Sequence, residues 1–126
     1  MHYTTIEEIH AGEVTVGTFL VNQHLVVVLF DSRASHSFMS QTFVSKHNLR
    51  VVTIDKGSYC ISAARNQIST NKIVRDVRIS ISNREYTADL VVLPGLGIDV
   101  ILGMKWMSGN GVLIDTLTRT IMLREP

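Results

Sequence analysis

Apolar residues in this chain arrive in short β-branched runs, and no stretch sustains the 3.6-residue period of a long amphipathic helix. EVTVGTFLV (Glu13 to Val21) and HLVVVLF (His24 to Phe30) are separated by the polar pair Asn22-Gln23, which predicts a hairpin. LVVVLF has no polar alternation and reads as a strand buried on both faces. From Asp31 the texture changes to DSRASHS, a small, polar loop. Ser37 then suits the N-cap of a short helix, with Phe38, Phe43 and Val44 as its apolar stripe and an end near Asn48. RVVTI is a further short strand. SYCIS (Ser58 to Ser62) and QISTNKIV (Gln67 to Val74) flank Ala63-Ala64-Arg65-Asn66 and read as a hairpin with that tetrapeptide at its tip. VRISI (Val77 to Ile81) and YTADLVVL (Tyr86 to Leu93) form another hairpin through Ser82-Asn83-Arg84-Glu85. DVILG runs to Gly103, MKWMSGN supplies one or two helical turns, and VLI and TIML close the chain as strands. About nine short strands, at most two short helices and turn signals roughly every 8–12 residues predict an all-β sandwich or closed barrel.

The 126 residues suit one domain, 1–126, with 1–12 as an N-terminal extension. A hydrophobic content of 45% excludes wholesale disorder. Twelve basic against eleven acidic residues leave no excess charge to draw the chain onto nucleic acid or an anionic membrane. The single cysteine, Cys60, cannot form an internal disulfide and suits a reducing compartment. No apolar run approaches the ~20 residues of a membrane helix, and MHYTTIEEIHAGE lacks the apolar core of a secretory signal. The expectation is a soluble intracellular domain, cytoplasmic or nuclear, with neither nucleic acid nor membrane as a partner.

Candidate chemistry narrows quickly. The five histidines, at 2, 10, 24, 36 and 47, include no i, i+4 pair, so neither a metal nor a cofactor is expected. PGLGID has no following Lys-Ser/Thr for a phosphate loop, and no G-x-S-x-G frame presents a serine nucleophile. Asp55, Asp76 and Asp115 sit beside turns and read as turn caps; Asp89 and Asp99 read as structural caps or ion-pair partners. Asp31 differs, because six apolar residues deliver its carboxylate directly into a turn of small residues. That placement fixes and partly desolvates the side chain, as an acid–base catalyst requires. The simpler reading, an aspartate that merely starts a turn, stands beside it. The chain also echoes itself: a buried strand, a small-residue turn and a short helix occur at LVVVLF-DSRASHS and again at VIL-GMKWM.

LFDSRASHSF (Leu29 to Phe38) resembles the active-site segment of retropepsin-like aspartic proteases, in particular those of gypsy-type LTR retrotransposons of plants. There the segment reads hydrophobic-hydrophobic-Asp-Ser/Thr-Gly-Ala-Thr/Ser-His-Ser-Phe. GIDVILGMKWM (Gly97 to Met107) is similar to the family's second block, and ADLVVLP and GTFLV agree as well. The resemblance implies a closed acid-protease β barrel with one or two short helices, forming one half of a two-fold dimer. Hydrolysis by that route needs two carboxylates that share one proton: one is base to a water, the other donates to the scissile carbonyl. A chain with one suitable aspartate must take the second from its own copy. The resemblance further implies that catalytic Asp31 sits in an active-site loop with Ser32, Arg33, Ala34 and Ser35. Ser32 would lock the two loops together, Gly103 would stand in the second loop, and the hairpin tipped by Ala63, Ala64, Arg65 and Asn66 would be the flap over a peptide or protein substrate.

One departure bears on activity. Position 33 is arginine where the family has glycine. Glycine is used where backbone approaches a ligand closely, whereas arginine adds bulk and a permanent charge. A guanidinium against the Asp31 pair would favour its doubly ionised form and remove the neutral acid. Two readings therefore remain: a homodimeric endopeptidase impaired by Arg33, and an inactive, domesticated protease fold that binds protein or peptide.

Overall fold

The computed structural model describes residues 3–7, 15–54, 59–63, 66–115, 117–118 and 120–125. Among the described residues, twelve strands and two short helices follow in the order β1 (Tyr3–Glu7), β2 (Thr15–Val21), β3 (His24–Phe30), β4 (Phe38–Ser40), α1 (Gln41–Lys46), β5 (Val52–Thr53), β6 (Tyr59–Ala63), β7 (Asn66–Thr70), β8 (Lys72–Ile81), β9 (Arg84–Leu93), β10 (Val100–Leu102), α2 (Met104–Gly109), β11 (Val112–Asp115) and β12 (Thr120–Arg124).

Seven strands form one sheet in the order β2-β3-β10-β4-β9-β8-β5, and an added β2–β8 pairing closes six of them into a barrel. The predicted closed, mostly antiparallel β architecture is therefore what the chain adopts. Side chains such as Phe30, Met39, Ile79, Ile81, Leu90 and Leu102 are fully buried inside it, each stabilising the fold by about 1.5–3 kcal/mol relative to exposure.

Local chemistry explains the turns. Asn22 and Gln23 have φ of 47° and 69°, and Ser82 and Asn83 have 52° and 62°. These are left-handed pairs matching the twist of two-residue hairpins, in which asparagine is tolerated. The second hairpin is tighter than its sequence suggested, since Arg84 and Glu85 already belong to β9. QISTNKIV does not make one strand: it divides at Asn71 between β7 and β8, and β8 runs on to absorb VRISI. A bulge between Val74 and Val77 permits this, with Asp76 at φ 55° and its N–H donating to Asp89 Oδ1 at 3.0 Å.

Two further readings need correction. LVVVLF is not buried on both faces: Val26, Val28 and Phe30 point inward, while Leu25 is 73% and Val27 45% exposed. The strand lies in a barrel wall, where alternate residues face opposite sides whatever their chemistry. Ser37 does not cap the helix that follows it. Phe38–Ser40 is drawn into β4 by pairing with β10 and β9, so the N-cap moves to Ser40, whose Oγ accepts from the Phe43 N–H at 3.0 Å. Ser40 Oγ also donates to Asp99 Oδ1 at 2.9 Å, the structural role expected of Asp99. Asp115 likewise fulfils its turn role by accepting from the N–H groups of Leu117 and Thr118. These bonds hold its carboxyl below the usual carboxylate range, Thr118 contributing most.

Outside the barrel, β1, β12 and β11 form a three-stranded sheet, and β6 and β7 a separate two-stranded one. Residues 3–7 of the expected N-terminal extension are thus a strand, paired in register from Tyr3 opposite Arg124 to Glu7 opposite Thr120.

Helix α1 rests on a histidine pair. The rings of His24 and His47 stack at 3.9 Å between centroids, with Phe43 4.3 Å from His47. Partial burial first, then His24 and Lys46, hold the His47 imidazole below its ordinary value of 6.5, with Asp99 acting the other way. A lowered folded-state value means that the unfolded chain binds the extra proton more readily. This contribution to stability is complete above pH ~6.5 and is lost as pH falls through the lower, folded-state value. The urea midpoint should fall on acidification from pH ~7 to ~5, and His47→Leu should flatten that fall. An unchanged profile in the variant would exclude His47 as its source.

Candidate active site

Strand β3 ends with Phe30 fully buried, and the next residue is Asp31. Its backbone N–H donates to the Leu102 carbonyl at 3.0 Å, extending a parallel pairing in which Phe30 lies opposite Leu102. Asp31 and Gly103 are therefore equivalent positions on neighbouring parallel strands, so the repeated sequence pattern is realised as adjacent structure.

The loop folds on itself and then onto α2. Ala34 N–H donates to the Asp31 carbonyl at 3.1 Å. Arg33 N–H donates to Asp31 Oδ1 at 3.0 Å, an aspartate turn. The first N–H groups of a helix lack intrahelical acceptors, and Gly103 has no side chain with which to cap α2. The 31–37 loop supplies the acceptors instead. Gly103 N–H donates to Ser37 Oγ at 2.9 Å, Met104 N–H to the Ala34 carbonyl at 2.7 Å and Lys105 N–H to the Ser35 carbonyl at 3.3 Å. Ser37 does cap a helix, but one 66 residues away along the chain. No local pattern could have found it; the only signal was a serine ending a polar loop just before an apolar strand.

Gly103 is required by the same packing. A Cβ there would meet the carbonyl oxygens of His36 and Ala34, the latter at 2.7 Å. Both contacts are backbone and cannot swing aside. Gly103→Ala should therefore cost about 3 kcal/mol of stability in urea titration and displace the aspartate loop. A cost below about 0.5 kcal/mol would show that the loop yields freely.

The resulting site presents one carboxylate, its side chain 22% exposed. Arg33 Nε lies 3.7 Å from Asp31 Oδ1, with the arginine side chain 68% exposed. Ser32 and Ser35 are exposed and Ala34 half-buried; Ser35 Oγ and His36 Nδ1 share a hydrogen bond of 2.9 Å. The structure brings Asp31, Ser32, Arg33, Ala34, Ser35 and Gly103 together. Ala63 and Asn66 face one another at the end of the β6–β7 pairing, while Ala64 and Arg65 lie outside the described residues. Thr70, at the end of β7, ties that hairpin to β9 by donating its hydroxyl to the Val92 carbonyl at 3.0 Å.

Among the described residues no three His, Cys, Asp or Glu side chains converge as a metal site would require. Two surface concavities, of about 510 and 360 Å³, lie against the β2–β3 and β8–β9 hairpins and beside the C-terminal strand; neither includes a residue of the 31–37 loop. No described helix is long and apolar enough to cross a membrane.

A small closed barrel that projects an aspartate from the end of one strand, braced by a glycine at the equivalent end of its neighbour, is the architecture of a single-lobe acid protease. The chain belongs to the retroviral aspartyl protease family, which it matches over residues 1–126. Its fold is shared with the retroviral protease-like domain of Ddi1 from Leishmania major (TM-score 0.67, 14% identity, covering 96% of this chain and 91% of that one). A retropepsin-like aspartic protease from Rickettsia conorii is also similar (0.63, 17%, 98% and 95%). So is EIAV protease, solved with the inhibitor HBY-793 (0.63, 18%, 79% and 90%). No curated protein matches in sequence.

Proposed function

We propose that the chain is a single domain forming half of an aspartic endopeptidase, completed by a second copy that contributes its own Asp31. The observation that carries this reading is the single carboxylate that the described residues place at the site. Asp31 is held by hydrogen bonds on both sides of its loop, yet peptide hydrolysis by paired acids needs two such groups.

In the two-fold dimer the ionised Asp31 takes a proton from a water as that water's oxygen attacks the scissile carbonyl carbon. The protonated Asp31 gives its proton to the carbonyl oxygen. Collapse of the tetrahedral species breaks the C–N bond, the proton on the first aspartate passing to the leaving nitrogen while one hydroxyl of the diol returns its proton to the second aspartate as the carbonyl re-forms. Two carboxylates in contact cannot both ionise cheaply, so proximity alone prepares one acid and one base. Ser32 ties the two loops across the axis, Ala34 and Ser35 belong to the same loop, and the β6–β7 hairpin serves as the flap over the peptide, with Ala63 to Asn66 as its tip. The sequence blocks around Asp31 and Gly103 support an origin in a gypsy-type LTR retrotransposon, and the lone cysteine supports an intracellular setting.

One observation favours a second reading. The Arg33 guanidinium stands 3.7 Å from Asp31, a placement that suits a fold retained for binding peptide or protein without cutting it. Cleavage of a mixed peptide library across pH 4–7, with and without pepstatin, separates the two. Pepstatin-sensitive cleavage establishes the protease; peptide binding without cleavage establishes the second reading.

A further inference from the structure

Strand β3 leads to Asp31, and alternation along it marks one face of the barrel wall. Val26, Val28 and Phe30 point into the core, so Leu25, Val27 and Leu29 share the outer side. The Asp31 N–H continues the ladder onto the Leu102 carbonyl, which keeps Asp31 in step as the next member of that outer series. Exposure rises with distance from the carboxylate: Leu29 is half-buried, Val27 is 45% exposed and Leu25 is 73% exposed. Strand β2 widens the stripe, with Val16 opposite Leu29, Thr18 opposite Val27 and Leu20, itself 42% exposed, opposite Leu25.

Of the six large hydrophobic side chains notably exposed among the described residues, three therefore belong to a single stripe whose head is the candidate catalytic group. Apolar residues scattered singly over a surface are ordinary, whereas a contiguous exposed patch marks a surface that another molecule covers. The far end of the stripe opens into the concavity of about 510 Å³, which Leu20 and Leu25 line together with the Ser82-Asn83 turn. At ~3.3 Å per residue, Val27 lies ~13 Å and Leu25 ~20 Å along the strand from Asp31. A peptide extended along the same wall covers those distances in four and six residues.

We infer that the β2–β3 wall is an exosite for the substrate's own flank, a role that rests on the endopeptidase reading and deepens it. Apolar side chains four and six residues from the scissile bond dock on Val27 and on the Leu20–Leu25 pair. Continuity identifies the occupant. A polypeptide held by its scissile bond at Asp31 has both ends leaving the site, and from Leu29 to Leu25 the outer side of β3 presents no polar residue. An extended peptide also turns alternate side chains one way, at the spacing of the stripe. In a two-fold dimer each copy supplies one stripe, so either flank has its own. Contacts this far from the reacting atoms are gained equally in the ground state and the transition state, and so lower KM while leaving kcat unchanged.

Matched peptides test this. A sequence cleaved from the mixed library is resynthesised with six residues on either side of the scissile bond, carrying leucine or serine at the fourth and sixth positions of each flank. The leucine peptide should show a KM roughly tenfold lower, at the same kcat. The double variant Leu25→Thr, Val27→Thr puts a strand-forming residue at two exposed positions. It should lose the preference while cutting the serine peptide at the wild-type rate, which also shows the fold intact. Equal KM values for the two peptides with wild type, or a preference that survives in the double variant, overturn the exosite and leave the endopeptidase standing. Dissociation of the wild-type dimer by the same substitutions, read in sedimentation, assigns the wall to a second copy and likewise overturns the exosite. A wild-type chain that cuts no peptide overturns both.

Discussion

Asp31→Asn should reduce peptide cleavage by roughly 10³-fold or more, the upper part of the range for losing a positioned general acid–base. Asparagine retains an oxygen at the Oδ1 position, which accepts the Arg33 N–H at 3.0 Å, so the turn and the fold should survive. What disappears is the capacity to ionise or to hold the shared proton. Symmetry sharpens the test, because in the proposed dimer each active centre draws one aspartate from each chain. When equal amounts of wild type and variant are allowed to exchange, only about a quarter of the dimers carry both carboxylates. Activity should therefore fall to about a quarter of an equal amount of wild-type dimer, and elsewhere follow the square of the wild-type fraction. A linear dependence would mean that each chain carries a complete catalytic apparatus, which would sink the shared dyad.

Arg33→Gly should raise kcat/KM about tenfold, and the size of the effect follows from exposure. A full Coulomb interaction at 3.7 Å would reach about 4 kcal/mol at an effective dielectric of 20. The Arg33 side chain is 68% exposed, and ion pairs of that kind return only about 0.2–1 kcal/mol. Two guanidiniums would act on one dyad in the proposed dimer, so the stabilisation of its doubly ionised form amounts to about 0.4–2 kcal/mol, a range of roughly two- to thirtyfold in rate that brackets the expected effect. On the endopeptidase reading, the arginine should slow cleavage without silencing it. Part of the difference should disappear in high salt, which screens exposed charges; the part that persists reports the bulk of the side chain in the substrate path. Equal rates for wild type and variant would show that the guanidinium stands clear of the dyad in the dimer. No cleavage by either protein, with peptide binding retained, would leave the binding module as the surviving reading.

Much of this architecture was legible because it is encoded over a few residues. A two-residue turn needs left-handed backbone, and Asn22 and Asn83 supply it where polar breaks separate apolar runs. Asp31 stood out because a buried strand must stop before a carboxylate, and Gly103 because the same pattern recurs around it. Motif resemblance then led to the family to which the whole chain belongs.

Other features had no local signature. Whether LVVVLF faced core on one side or two depended on what the rest of the chain laid against it, and among the described residues Leu25 and Val27 are left largely uncovered. Ser37 faced a choice between capping the next helix and a distant one, decided when β4 was captured between β9 and β10. The same holds for the pairing of β1 with β12, which joins the two ends of the chain. Sequence by itself determined where most strands and hairpin turns fall and which aspartate ends an apolar strand, because those depend on side-chain period and backbone sterics within a few positions. Tertiary structure alone decided which strands meet, which glycine has no room for a Cβ and which face is left exposed, because hydrogen-bond ladders and burial join residues far apart along the chain.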